Sequence, residues 1–200
     1  GKIAEQIGRL AMDASWDCYV AYGRYMNPSG LRLIKTSNKG SVYRHYIENR
    51  LWGKEGCASK RASRELVEII KDICPDIIHL HNIHDHWLNY PVLFEYLSGA
   101  GIPVVWTQHD CWAFTGGCGY YSMEGCDRWQ SECNHCPQQQ GLFRDSSRWQ
   151  FQNKKRCFTS VKNMTLVPVS EWLAGEVRKS FLDRYPIHTI LNGVDVEKFR

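Results

Sequence analysis

The stretch PVVWTQHDCWAFTGGCGYYSMEGCDRWQSECNHCP, residues 103–137, decides the fold and holds the densest set of reactive side chains. It begins as a short apolar run that predicts a buried strand, and it breaks at Thr107–Asp110 into polar groups. Open parallel sheets bind their ligands at the carboxyl ends of their strands. Five cysteines follow in the same stretch. The first half therefore predicts a ligand site, and the second half predicts a bound ion.

Strands and helices alternate along the rest of the chain. Strands are predicted at residues 18–21, 76–81, 104–107, 165–169 and 188–191, and helices near 3–11, 63–73, 91–97, 149–161 and 171–180. Residues 27–53 are rich in basic and turn-forming residues, and they predict loops with at most one short helix. The alternation predicts an α/β domain with a parallel sheet and helices on both faces.

Composition bounds the class of protein. The 200 residues suffice for one domain with a full core, and 43% of them are hydrophobic, as in a soluble globular protein. The net charge of +4 is too weak to argue for nucleic acid, although basic residues concentrate between Arg32 and Arg64. A solvated basic face is the favoured interpretation, with an anionic membrane surface or a phosphorylated substrate as the alternative. No apolar run approaches the roughly 20 residues of a membrane span.

The cysteine count bears on the compartment. Nine cysteines is an odd number and no secretory apolar region precedes them, so a reducing cytosol fits better than a disulfide scaffold. The chain opens at Gly1 directly in a helical pattern, without a strand before it. We therefore expect it to be a segment of a longer protein, which leaves an upstream targeting signal open.

Four cysteines have the spacing of a zinc site. Cys118, Cys126, Cys133 and Cys136 form C-x7-C-x6-C-x2-C in a segment with little regular structure of its own. Four thiolates can close a tetrahedral structural zinc site, and the C-x2-C pair supplies the usual tight turn. We prefer this interpretation because the segment lacks an evident core. The alternatives are reduced cysteines in a surface loop or two disulfides, and Cys111 and His135 are spare ligands.

Histidines and aromatic residues gather at two predicted strand ends. In the strand DIIHLH, His79 lies deep and is expected in the core, whereas His81 and His109 stand at carboxyl ends and could exchange a proton with a ligand. A second metal site in HLHNIHDH is the less favoured alternative, because the spacing lacks a helical pair. Trp112 and Phe114 could stack on sugar rings. The chain has no glycine-rich dinucleotide motif, no phosphate-binding lysine motif and no nucleophile elbow.

The motif order resembles a known family. The segments PDIIHLHNIH, PVVWTQHDCWAFTGGC, VPVSEWLA and ILNGVDVEKF follow one another as in the amino-terminal domain of family-4 retaining glycosyltransferases of the GT-B fold, in a bacterial subgroup that builds surface or exopolysaccharide. The resemblance implies one Rossmann-like half of a two-domain enzyme over residues 1–200, with a cysteine-rich insert at residues 111–137. It also implies that the first strand and the carboxyl-terminal donor domain lie outside this chain.

The resemblance assigns roles to matching positions. His109 would be the catalytic residue near the transferred sugar, with the substrate-binding side chains beside it. Those residues are His81, Asp110, Trp112, Ser170, Asn192 and Gly193. Ser170 is also placed to cap the helix that follows it, and Asn192–Asp195 would lie at the edge between the domains.

These patterns give an expected function. The resemblance implies the acceptor-binding half of a hexosyltransferase that uses a nucleotide-sugar donor and a saccharide or lipid-linked acceptor. From the cysteines we expect a cytoplasmic protein, with peripheral contact at the inner face of the membrane as the alternative. Because half of the cleft is missing, we expect this chain alone not to catalyse. The alternative is a non-catalytic, zinc-stabilised module that binds a carbohydrate or a protein. A metal-dependent hydrolase is less favoured, since no paired carboxylates are evident near the histidines.

Overall fold

A computed structural model describes residues 1–26, 29–138 and 142–193. Its helices are α1 (Lys2–Asp13), α2 (Lys39–Trp52), α3 (Lys60–Ile73), α4 (Tyr90–Ala100), α5 (Ser147–Phe158) and α6 (Glu171–Arg178). Its strands are β1 (Tyr19–Tyr22), β2 (Arg32–Lys35), β3 (Ile78–Leu80), β4 (Val104–Gln108) and β5 (Met164–Pro168). Among the described ranges, none of the helices combines the length and hydropathy that a bilayer span requires.

All strand pairs of the two described sheets are parallel. β3, β4 and β5 form one sheet with β4 in the middle, and Trp106 of β4 pairs with Leu80 of β3 and Leu166 of β5. β1 and β2 form a separate two-stranded sheet. The predicted α/β class with a parallel sheet is confirmed, since helices flank strands that run in one direction. The described strands form two sheets, however, and not one continuous sheet.

Within segment 27–53, predicted as loops with at most one short helix, the described residues 29–53 hold more regular structure. They contain β2 and the 14-residue helix α2, which begins at a capping box between Asn38 and Ser41. The sequence of this helix lacks a clear hydrophobic periodicity because the apolar and aromatic residues Tyr43, Tyr46 and Ile47 lie on its exposed side. An apolar stripe that faces outward leaves the sequence without the clean alternation that marks a surface helix.

The predicted strand at 188–191 is not formed. Ile187 makes a single bridge with Leu166, and the backbone N–H groups of His188 and Ile190 donate to Leu166 and Pro168 at 3.0 and 3.2 Å. This segment therefore runs along the edge of β5 without completing a ladder. Pro168 contributes to that outcome, since it has no N–H to donate in return.

An aromatic core lies under the three-stranded sheet. Trp106 of β4 packs with Phe94 of α4 and Phe158 of α5, with ring centres 5.7 and 4.9 Å apart, and Tyr90 lies 5.1 Å from Phe158. All four rings are buried. Burying a side chain of this size contributes about 1.5–3 kcal/mol. These contacts hold α4 and α5 against β4 and so fix the strand end that carries His109.

The cysteine-rich insert also has a small core, contrary to our expectation. Its regular structure within residues 111–137 is three short 3-10 turns, at Trp112–Phe114, Tyr121–Glu124 and Arg128–Gln130. Trp129 is buried against Phe114 and Tyr121, at ring distances of 4.9 and 4.8 Å. Aromatic packing therefore supplies part of the stability that the sequence interpretation ascribed to a metal.

Candidate functional site

A narrow cleft opens at the carboxyl ends of β3 and β4. Its lining comes from the segment after β3 and from the end of β4 with the turn that follows, namely His81, Asn82, Ile83, His84, Trp106, Thr107, Gln108, His109, Asp110, Trp112 and Ala113. This is the sheet edge where parallel α/β proteins bind ligands. The structure therefore brings together His81, His109, Asp110 and Trp112, four of the residues that the sequence selected.

His81 and His109 form a hydrogen-bonded pair. Nδ1 of His81 lies 3.3 Å from Nε2 of His109, and the two rings are stacked with centres 5.6 Å apart. Burial, together with the neighbouring His79 and His109, lowers the pKa of His81 to about 3. Burial also lowers the pKa of His109. Both rings are therefore neutral at pH 7, and a neutral imidazole can accept a proton.

His79 is not in the core, contrary to the sequence prediction. Its side chain is exposed, and Nε2 lies 2.8 Å from Oγ1 of Thr107 on β4. Its ring centre lies 4.4 Å from that of His81. β3 is an edge strand of the three-stranded sheet, and its burial pattern leaves His79 exposed between Ile78 and the buried Leu80. His79 therefore supports the histidine pair from the side of the sheet that the core does not occupy.

Another histidine, His84, is held between two carboxylates. Its Nε2 lies 3.1 Å from Oδ2 of Asp110, and its Nδ1 lies 3.9 Å from Oε1 of Glu55. Burial alone would lower the pKa of His84, but the hydrogen bond and charge of Asp110 and the charge of Glu55 outweigh it and raise the pKa. The cleft therefore combines a neutral histidine pair with a histidine that favours the charged state. Asp110 and Glu55 thus form a pair of carboxylates near the histidines, which the sequence analysis did not find.

Trp112 lies in the core and offers no open face to a sugar, contrary to the expected stacking. It is only 3% exposed, and its indole N–H donates to Glu55 at 3.0 Å. The ammonium of Lys154 lies 3.7 Å from the centre of its ring. Phe114 is fully buried as well. The aromatic residues after β4 therefore support the cleft from below.

Gln108 closes β4 and lines the cleft. It is 3% exposed, and neither its Oε1 nor its Nε2 has a hydrogen-bond partner among the described residues. A buried amide without partners costs about 1–3 kcal/mol. Among the residues that line the cleft, Gln108 is thus the one whose buried polar side-chain atoms have no partner in the described part of the chain.

The remaining predicted substrate residues do not line this cleft. Ser170 follows β5 and uses its Oγ to accept a hydrogen bond from the backbone N–H of Leu173 at 3.2 Å, which confirms the predicted helix cap. Asn192 and Gly193 are exposed at the end of the described chain. Of the predicted domain edge at Asn192–Asp195, Val194 and Asp195 lie outside the described residues.

The four predicted zinc ligands lie in the insert beside this cleft. All nine cysteines fall in the described part of the chain and are free thiols. Cys133 is buried, its Sγ accepts a hydrogen bond from the N–H of Gly116 at 3.1 Å, and burial raises its pKa to about 12. Cys118, Cys126 and Cys136 are partly exposed. Within the described ranges, no three His, Cys, Asp or Glu side chains are grouped closely enough to hold a metal ion.

Sequence reasoning missed Glu55, Gln108 and Lys154. Glu55 and Lys154 are distant in sequence from the strand ends, and only tertiary packing brings them to the cleft. Gln108 carried a weak signal, because it lies between Thr107 and His109 at the end of an apolar strand. His84 was visible as part of HNIHDH, but its spacing gave no reason to pair it with Asp110.

Comparison with known proteins agrees with the α/β fold. The sequence profile described as Glycosyltransferase Family 4 matches residues 12–198. A protein of Escherichia coli (strain K12), "Putative colanic acid biosynthesis glycosyl transferase WcaC", is 32% identical over 68 residues, which cover 32% of this chain and 16% of that protein. The match thus spans about a sixth of the curated relative's length. The chain belongs to glycosyltransferase family 4.

Proposed function

We propose that this chain is the acceptor-binding half of a retaining hexosyltransferase in bacterial polysaccharide synthesis. It would bind a saccharide or lipid-linked acceptor, while a nucleotide sugar binds to a second, carboxyl-terminal domain. The relative from Escherichia coli, described as acting in colanic acid biosynthesis, supports the polysaccharide assignment. The single observation that carries the proposal is the neutral His81–His109 pair at the strand ends, next to the Asp110–His84 pair.

The histidine pair suits group transfer. A neutral His109 can accept the proton of an acceptor hydroxyl, or it can donate a hydrogen bond where charge develops on the leaving diphosphate. His81 holds one nitrogen of His109, which restricts the orientation of the ring. Asp110 accepts the backbone N–H of Trp112 at 2.9 Å, so the turn after β4 is fixed next to His109. These contacts restrict the orientation of the His109 ring, and group transfer requires such fixed positioning of the reacting groups.

Replacement of His109 tests the proposal. In the full-length protein, His109→Ala is expected to lower turnover on the order of tenfold to a thousandfold, as the loss of one transition-state hydrogen bond does. Release of nucleoside diphosphate from a panel of nucleotide sugars measures the turnover. His188→Ala, which changes an exposed histidine outside the cleft, is the matched control and should behave as the wild type. Equal rates for the wild type and His109→Ala, with both proteins folded, would refute the assignment.

We also propose a structural zinc ion in the insert, held by Cys118, Cys126, Cys133 and Cys136. The spacing supports it, and so does the N–H hydrogen bond to Cys133, which is the kind of contact that stabilises a thiolate. Binding would require the insert to close further around the ion. Elemental analysis of protein purified without chelator should give one zinc per chain, and Cys136→Ser should remove it. A folded protein without zinc would refute the site.

The third part of the proposal is that the enzyme is cytoplasmic and contacts the inner face of the membrane. One side of α2 carries exposed Lys39, Tyr43, Tyr46, Ile47 and Arg50, which we name the α2 outer face. Basic and aromatic side chains in this mixture suit the headgroup region of an anionic bilayer. A lipid-linked acceptor would reach the cleft from that surface.

A further inference from the structure

A lysine that the cleft chemistry does not use lies fully enclosed beneath it. Lys154 of α5 is 0% exposed, whereas its neighbours Lys155 and Arg156 are exposed. Charged amines are almost never fully buried unless they have partners, because leaving water is costly. Burial lowers the pKa of Lys154 to about 8, and the charge of Glu55 acts in the opposite direction. The position therefore carries a cost that an apolar residue would avoid.

The partners of Lys154 belong to the turn that follows β4. Its Nζ donates to the carbonyl oxygens of Trp112 and Thr115, at 2.7 and 3.3 Å. The same ammonium lies 3.7 Å from the centre of the Trp112 ring, which is a close cation–π contact. Two backbone carbonyls and one aromatic face of this turn are thus held by one side chain. The turn, residues 112–115, is separated from Asp110 by Cys111 alone.

A closed ring of contacts connects this lysine to the cleft. Trp112 donates its indole N–H to Glu55, Glu55 lies beside His84, and His84 is hydrogen-bonded to Asp110. The ring returns to its start where Asp110 accepts the backbone N–H of Trp112. The two carboxylates flank His84 in this ring, and its members come from three separate segments of the chain. A change at Lys154 therefore reaches Asp110 and His84 through two different routes.

We propose that Lys154 is a positioning residue for the cleft: it fixes the turn 112–115 and thereby sets the places of Asp110, His84 and His109. This inference rests on the proposed transferase function. An apolar side chain would fill the same space at lower cost, but it would remove the ammonium that joins the carbonyls of Trp112 and Thr115, and with it one positive charge near Glu55. Misplacement of reacting groups by about 1 Å can cost about a hundredfold in rate. Lys154 touches neither substrate in this scheme.

Lys154→Met in the full-length protein tests the inference, with Lys155→Met on the same helix as the control. We expect kcat for nucleoside diphosphate release to fall at least about tenfold while the KM for the nucleotide sugar changes little, because the donor binds elsewhere. The ring resonances of His84 and His109, followed by NMR, should shift in Lys154→Met and remain unchanged in Lys155→Met. Wild-type kinetics with unchanged histidine resonances would overturn the role.

A second set of variants covers the case in which Lys154→Met fails to fold. Lys154→Met combined with Glu55→Gln removes one charge of each sign and leaves no unpaired carboxylate, and Glu55→Gln alone gives its reference. A positioning role predicts that the double variant regains stability but stays slower than Glu55→Gln. Recovery to the rate of Glu55→Gln would overturn it. If the wild type releases no nucleoside diphosphate, the proposed function fails, and the histidine resonances still decide the role of Lys154.

Discussion

At the scale of single residues, the histidines of the cleft differ in charge although they lie within one small region. Burial keeps His81 and His109 neutral, while the carboxylates of Asp110 and Glu55 favour the charged form of His84. The environment assigns these roles, since the three side chains are chemically identical. Sequence spacing placed His81 and His109 correctly at strand ends, but it could not distinguish their protonation from that of His84.

The low pKa of His81 predicts acid sensitivity. The folded-state pKa of about 3 lies below the unfolded value of 6.5, so the unfolded chain binds more protons between these values. Stability should therefore fall as the pH drops from about 6.5 towards 3, by up to about 1.4 kcal/mol per pH unit for this group. Urea unfolding across that range measures the slope.

His81→Gln provides the control for the acid prediction. Glutamine does not titrate, so the slope should decrease by about one proton in this variant. His45 contributes in the same direction, because burial first, and then His86, lowers its pKa to about 4. A residual slope from His45 is therefore expected. An unchanged slope in His81→Gln would contradict the assignment of acid sensitivity to the histidine pair.

At the scale of elements, segments with a clear hydrophobic pattern were predictable, and a helix whose exposed side carries apolar residues was not. β4, β5 and α3 follow from continuous apolar strands and from a clean apolar stripe in Leu66, Ile70 and their neighbours. The length of α2 escaped prediction because its exposed side carries Tyr43 and Ile47 where a surface helix normally carries polar residues. The cleft was predictable where it depends on strand ends, and not where it depends on Glu55 or Lys154, which reach it from other elements.

The α2 outer face predicts binding to anionic bilayers. The protein should sediment with vesicles of phosphatidylcholine and phosphatidylglycerol, and much less with phosphatidylcholine alone, because Lys39 and Arg50 supply positive charge. Raising the salt concentration should weaken binding. The double change Tyr43→Ser and Ile47→Ser should reduce it severalfold, since these side chains are 66% and 38% exposed and can enter the headgroup region.

Trp172→Ser is the matched control for vesicle binding. Trp172 is 52% exposed on α6, away from α2, so its loss removes a large apolar surface without changing the α2 outer face. Binding of this variant should equal that of the wild type. An equal loss of vesicle binding in the control and in the α2 variants would indicate non-specific hydrophobic adsorption. Absence of binding to either vesicle would refute the membrane contact.

At the scale of the whole molecule, the cleft at the strand ends is open to solvent. The described lining comes from the segments after β3 and β4, and it leaves His109 partly exposed to solvent. From the proposed two-domain scheme we predict that residues 1–200 alone release no nucleoside diphosphate from nucleotide sugars, because in that scheme the donor binds to the other domain and water otherwise reaches the reacting groups. The full-length protein, assayed at the same concentration, should be active. Turnover by residues 1–200 would refute the two-domain scheme.

The division into two sheets has a practical consequence for handling the isolated chain. Among the described residues, β3 pairs only with β4, and β1 pairs only with β2, so each has an edge whose backbone groups face no neighbouring strand. Such edges are templates on which another chain can add a strand. Ile77 and Tyr19, exposed beside these edges, would strengthen the contact. We therefore expect the isolated chain to self-associate and aggregate at high protein concentration. Measurements on it are best made in dilute solution.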